Sequence, residues 1–338
     1  MNILLTSAGR RAYIVEYFKQ CEGINRVFTC NSEYSIALQK SDGYFISPLI
    51  YSDEYIKSIV SFCINNDIKA IISLFDIDLP ILAKHENVFS EHNIKLILGP
   101  ENFVKICNDK FLTFEFLNKI GIKTPNTYKT ISSIKKALEN GIITFPIILK
   151  PRWGMASMGI YKAYNLQELE VLSNICNRDI FSSYLKYESK ADQNEAIIFQ
   201  QIVKGQEYGI DILNDLNGNF INAFVKKKIK LRSGETDLGE TVNNKPFINV
   251  AKKISMHSHH KGLLSVDCFM NNENIIILEM NCRISGHYPL SYLAGFNYPQ
   301  IIIDWLNDKK INTENLTFKE NLLITKDLVP TVLNRQEY

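Results

Sequence analysis

Apolar and polar positions in the first hundred residues alternate between two spacings. Residues 2–6 (NILLT) form a short apolar run. Residues 7–11 (SAGRR) read as a turn, and 12–21 (AYIVEYFKQC) repeat their apolar positions at helical spacing. The cycle recurs. Strand-like runs at 26–31, 44–50, 70–75 and 95–100 are separated by helical patterns at 36–42, 55–67 and 79–93. Strands alternating with helices predict a mostly parallel sheet covered on both faces. Ligands of such a sheet sit at the carboxyl ends of its strands, here near Ser7–Arg11 and Asp76–Asp78.

A different pattern starts near Glu101. Residues 108–121 are amphipathic, with Phe111, Phe114 and Leu117 on one face and Gly121 as the stop. Residues 145–164 read as strand, small-residue loop, strand. Residues 196–215 read as two strands meeting at a Gly205 turn, and 217–232 as a strand entered through Asn217–Gly218. A helix is expected at 247–259, strands at 263–270 and 274–281, a helix at 298–308 and a strand-like run at 321–327. The fold class expected is α/β followed by α+β.

Composition narrows the classes of function. The 338 residues carry 38 Lys plus Arg against 36 Asp plus Glu, a net charge of +2, which gives no electrostatic reason for nucleic-acid or anionic-membrane binding. No apolar run approaches the ~18 residues of a membrane span. The N-terminus reads as a buried strand, not a secretory signal. Seven scattered cysteines without C-x-x-C spacing fit small core residues in a reducing cytoplasm. The MHSHH run (His257, His259, His260) is expected to be a surface helix end, since no Cys or carboxylate stands beside it.

Chemistry concentrates in four segments. Glu279, Asn281 and Arg283 fall on one side of a strand, and Asp267 lies on its expected neighbour. A buried strand that presents charges on one face needs partners. Carboxylate and amide oxygens suit Mg²⁺, with Arg283 left to meet an anion; an ion pair between Glu279 and Arg283 is the competing account. The loop Lys150–Gly159 offers a cation and small residues, as a phosphate loop or a tight hairpin would. It lacks P-loop spacing, and SAGRR lacks the dinucleotide glycine fingerprint. Gln200, Glu207 and Asp211 could hold adenine and ribose, or sit on a surface hairpin. Lys226, Lys228, Lys230 and Arg232 share one strand face, which suits a solvated edge and a phosphate surface equally.

The ordered set, with Lys110 in NDK, Lys150 before the loop, a glutamine-rich hinge before Glu207, and Asp267 before E-M-N-x-R, resembles the ATP-grasp superfamily. It looks most like stand-alone proteins similar to the carbamoyl-phosphate synthase large subunit. SAGRR and SLFDIDLPILA look like the pre-ATP-grasp domain of that subgroup. The resemblance covers roughly residues 1–310 and implies four units: a Rossmann-like pre-ATP-grasp domain (1–104), a small linking subdomain (105–195), a C-terminal subdomain with the Mg²⁺ site (196–310), and a strand and tail (311–338).

It further implies that Lys110 and Lys150 contact phosphates under a loop holding Ser157, Met158 and Gly159. Gln200, Gln201, Ile202 and Val203 receive adenine, and Glu207 the ribose. Asp267, Glu279 and Asn281 hold Mg²⁺ (or Mn²⁺), and Arg283 meets the transferred group, with Lys150 assisting. Gln200 departs from the glutamate common at that position, and ISGHYPLSYLAG replaces a glycine-rich stretch. The implied activity is an ADP-forming carboxylate–amine ligase using ATP. Alternatives are a phosphotransferase of the carbamoyl-phosphate synthase type and a non-catalytic nucleotide-binding module. For a small polar acceptor such as an amino acid, the candidates are Arg10, Arg11, Asp76, Asp78, Arg232 and His287. A homodimer through the first domain and a cytoplasmic location complete the expectations.

Overall fold

A computed structural model describes residues 1–155, 157–313 and 316–334. The first unit is a five-stranded parallel sheet of β1 (Asn2–Thr6), β2 (Arg26–Asn31), β3 (Gly43–Ile46), β4 (Ile68–Ser73) and β5 (Lys95–Leu96), in the order β3-β2-β1-β4-β5. β1 is fully buried apart from its first residue, as a strand covered on both faces must be. Strand order reverses at β1, so a crevice opens beyond the carboxyl ends of β1 and β4. The helical pattern at 79–93 is two helices, Asp78–Lys84 and Glu86–Glu91, broken at His85.

The helices Glu101–Asn108 and Lys110–Lys119 lead out of this unit. Asp109 between them caps the second by accepting from the amides of Phe111 and Leu112. A small antiparallel sheet follows, made of β6 (Thr127–Tyr128), β7 (Ile147–Pro151), β8 (Tyr161–Ala163) and β9 (Ile197–Gln201), in the order β6-β9-β7-β8. The helix Leu166–Phe181 packs on it around a separate core containing Leu149, Leu169, Cys176 and Phe199. β9 belongs to this lobe, so the crossing to the next unit lies at residues 202–205, beyond the boundary expected at 195.

The third unit is a six-stranded antiparallel sheet in the order β14-β13-β10-β11-β12-β15. Its strands are β10 (Gln206–Asn214), β11 (Phe220–Arg232), β12 (Glu235–Val242), β13 (Gly262–Asn271), β14 (Asn274–Asn281) and β15 (Leu323–Thr325). Its apolar face shares a continuous core with the first unit through Phe103, Val104 and Leu117 of the two connecting helices. β11 lies between β10 and β12 and is not a solvated edge. Lys226 and Lys228 are accordingly buried. In the MHSHH run, the helix Lys245–Ser258 ends as expected with His257 exposed, but His260 is buried, its Nε2 3.0 Å from the Leu263 carbonyl. Among the described residues no helix is long and apolar enough to cross a membrane.

Candidate active site

The polar face of the six-stranded sheet carries the charged residues. Cross-strand register places Asp267 directly opposite Glu279, and Ser265 opposite Asn281. Residues directly opposite in an antiparallel pair share a face, so Asp267, Glu279 and Asn281 converge. Glu279 and Asn281 line a cavity with Asp76, Asn108, Lys110 and Gly154. This cavity joins the first unit, the connecting helices, the small lobe and the large sheet. Among the described residues, no group of three His, Cys, Asp or Glu side chains could hold a metal by itself.

Asp267 is not free. Its Oδ1 lies 2.7 Å from Lys228 Nζ, which also reaches Glu207 Oε1 at 2.8 Å. Burial alone would raise the Asp267 carboxyl; the charge of Lys228 and the hydrogen bond and charge of His287 outweigh it and hold it well below the usual range. Burial likewise works against the charged form of Lys228, but Asp267 and Glu207 hold its pKa above the ordinary value. Glu207, expected at a ribose, is therefore also tied to β11. Next to this cluster, Lys226 and Asp211 form a fully buried pair, and Ser291 donates to Asp211 at 2.6 Å. His287 lies over Gly209, where an added Cβ would stand 2.8 Å from the imidazole. Its Nε2 is 2.9 Å from Ser265 Oγ. Burial lowers its pKa, so the ring is held toward the neutral form. His287 is thus enclosed by this network.

Glu279 and Asn281 in the cavity, and Lys150 near Glu279 and Lys110, lack side-chain partners among the described residues. Lys150 ends β7 and is buried. Its pKa is pushed down to about 8, chiefly by burial and also by Lys110, against the pull of Glu279. Lys110 donates to the carbonyl of Gly154 and so ties the loop to the connecting helix. A second tie went unread in the sequence. Arg152 pairs with Asp109 through Nε at 2.9 Å and Nη2 at 2.8 Å, and its guanidinium stacks 4.3 Å from the Trp153 ring centroid. Beyond it Ser157 and Gly159 both have positive φ, 57° and 65°, giving the tight return before β8. Met158 is half-buried and accepts from the Tyr184 hydroxyl.

At the hinge, Gln200 turns inward and donates to Thr127 Oγ1 at 3.0 Å, so its amide serves the small sheet. Gln201 pairs with Asn126 through backbone and side chain. Ile202 and Val203 leave the ladder half-buried, the remaining candidates to receive a base.

Arg283 reaches back to the first unit. Its Nη2 meets Asp76 Oδ2 at 2.5 Å rather than Glu279. Asp76 and Arg11 come from the β4 and β1 loops, as the strand-end argument expects. The remaining acceptor candidates separate. Asp78 is wholly buried, taking hydrogen bonds from Thr6, Ser7, Ser73 and Tyr55. It joins the carboxyl ends of the neighbouring strands β1 and β4. Arg10 is exposed, and Arg232 pairs with Asp237 on the hairpin end of β11 and β12.

A family model described as the PylC-like N-terminal domain matches residues 3–97, and one described as ATP-grasp in the biosynthetic pathway with Ter operon matches residues 193–326. Over residues 193–326 the chain is thus similar to ATP-grasp proteins. Over 302 residues the chain is 25% identical to carbamoyl-phosphate synthase of Methanobrevibacter smithii, covering 86% of this chain and 76% of that one. It is 25% identical over 232 residues to the carbamoyl phosphate synthase large chain of Nostoc sp., covering 64% of this chain but only 20% of that one. Among solved structures, the biotin carboxylase domain dimer of Hydrogenobacter thermophilus 2-oxoglutarate carboxylase, in complex with MgADP, ADP and bicarbonate, superposes with a TM-score of 0.73 at 16% identity. That match covers 94% of this chain and 72% of that one.

Proposed function

We propose that the chain is an ATP-dependent, ADP-forming ligase that activates a substrate carboxylate as an acyl phosphate for attack by an amine or another nucleophile. One observation carries this reading. Glu279 and Asn281 line one cavity with Lys110, the buried Lys150 lies within electrostatic reach of Glu279 and Lys110, and Lys150, Glu279 and Asn281 have no side-chain partner among the described residues. Unpaired buried charge is costly, and a Mg²⁺–triphosphate would match it, with anionic oxygens for the lysines and a divalent cation for Glu279 and Asn281. Asp267 adds a second carboxylate at the price of competing with Lys228. ATP with Mg²⁺ supplies the phosphoryl group and bridges its charge.

The chain's own part is positioning and electrostatics. Lys110 and Lys150 bind phosphate oxygens. The hinge at Ile202–Val203 receives the base, and the loop 153–159 keeps water from the activated carboxylate. Arg283 would stabilise negative charge on the transferred phosphoryl group and on the acyl phosphate it forms, as ADP leaves. The acceptor is a small polar molecule. Seven free cysteines, six of them buried, fit a reducing cytoplasm, and the dimeric carboxylase domain supports a homodimer.

Purified protein given ATP, Mg²⁺ and pooled amino acids is expected to release ADP and phosphate. Glu279→Ala should abolish that release with an unchanged circular dichroism spectrum. Full release by that variant would defeat the assignment.

A further inference from the structure

Beyond the phosphate cavity, the crevice between the first unit and the large sheet holds a second set of unsatisfied groups. The Nη1 atoms of Arg11 and Arg283 both donate to one acceptor, the Ile284 carbonyl, at 2.8 and 3.2 Å. Two guanidinium groups on a single neutral oxygen lie side by side, and like charges this close call for an anion between them. Asp76 meets one edge of Arg283 only. Arg283 Nε is buried without an acceptor, and so is the hydroxyl of Ser285, which is 5% exposed. These donors face the same short segment, Arg283–Gly286.

Acceptors are left over at the same place. Glu235, at the start of β12, lies on Gly286, where an added Cβ would stand 2.8 Å from the Glu235 carboxyl carbon. Its Oε2 takes Lys326 at 3.0 Å, and Lys326 also bonds the Gly286 carbonyl at 3.1 Å. Glu235 Oε1 and Asp76 Oδ1 take no hydrogen bond from the described residues. Spare donors and spare anionic acceptors within one crevice need a ligand that carries both signs.

We propose that this crevice binds an α-amino acid, its carboxylate between Arg11 and Arg283 and its ammonium on Glu235 and Asp76. This inference rests on the ligase reading for its role, since it names the class of carboxylate to be activated. The binding geometry stands apart from that role. Arg11 and Glu235 are then the specificity-determining residues. They are drawn from two different units of the chain, so only a closed crevice presents both.

The test uses the full chain without nucleotide, titrated calorimetrically with individual L-α-amino acids and with the matching carboxylic acids that lack the amino group. At least one amino acid should bind about tenfold or more tighter than its des-amino counterpart, as expected when a charged partner is left unpaired. Arg11→Gln should weaken both ligands by about tenfold, and Glu235→Gln should weaken only the amino acid, closing the gap. Glu235 is half exposed, so its variant keeps the fold even where the Arg11 variant does not, and Arg11→Lys is the conservative control.

Equal affinity for both ligand classes, or no binding of either, overturns the proposal. So does amino-acid binding unchanged in Glu235→Gln. ADP release driven equally by des-amino acids would sink the amino-acid site while leaving the ligase reading standing. Amino-acid binding that depends on Glu235, without any ATP turnover, would do the reverse.

Discussion

Lys150 is a buried cation with no anion in hydrogen-bond reach, and that makes it a liability in the free protein. In the folded chain it titrates near pH 8, against 10.5 for an ordinary lysine. Below pH 8 both folded and unfolded chains carry the proton, and the cost of burying the charge is present in full. Between about 8 and 10.5 the unfolded chain holds the extra proton, so stability rises with pH. Lys150→Met should therefore be more stable than wild type at pH 7 by roughly 3 kcal/mol, an advantage that shrinks at pH 10. Urea titration at the two values measures it. The same variant should lose nucleotide binding. A Met variant less stable than wild type at pH 7 would mean that Lys150 already has a protein counter-ion. Lys150 was legible as a candidate because it ends an apolar run before a small-residue loop. Its burial was not, since nothing within β7 states what covers it.

At the scale of an element, β11 shows where pattern reading stops. Alternation separates Lys226 and Lys228 from Val225, because a strand has period two, but the register shifts between Lys228 and Lys230 and again before Leu231, so the pattern does not carry on to Lys230 and Arg232. It does not say that β12 covers the far edge, or that Asp211 and Glu207 of β10 meet the lysines. Inside the sheet, the Lys226–Asp211 pair is sealed under the helix Tyr288–Leu293. Lys226→Ala would leave Asp211 buried and unpaired, at a cost of about 3–5 kcal/mol. The double variant Lys226→Met/Asp211→Leu should regain most of that loss. Chemical denaturation of the three proteins decides it. A single variant as stable as wild type would show that the pair contributes nothing. The hinge shows the same limit. Gln200 and Glu207 flank one turn but belong to different sheets, so the first serves the lobe and the second the large sheet.

Across the whole molecule, the first unit and the large sheet share one core, whereas the small lobe packs around its own. The connections at the Ile202–Gly205 hinge and after the helix Lys110–Lys119 are therefore where relative motion costs least buried contact. A non-hydrolysable ATP analogue with Mg²⁺ should slow amide exchange in residues 150–155, 157–159 and 202–205, with little change along β2 and β3. Mass spectrometry of exchanged peptides reads this directly. Protection confined to the first sheet would place the nucleotide elsewhere.

The sequence by itself determined the local content: a parallel βα series, strands with one charged face, and the chain order from Lys110 to Arg283 that identifies an ATP-grasp fold. Such features follow from short periods and from side-chain chemistry, which neighbouring residues fix. Tertiary structure alone decided which charges find partners. Arg11 and the Ile284 carbonyl are 273 residues apart along the chain and 2.8 Å apart in space. Register across sheets and closure between units brought Asp76 to Arg283, enclosed His287 and Asp78, and left Lys150, Glu279 and Asn281 without side-chain partners among the described residues. Long-range packing sets these pairings, and no window of the chain contains both partners.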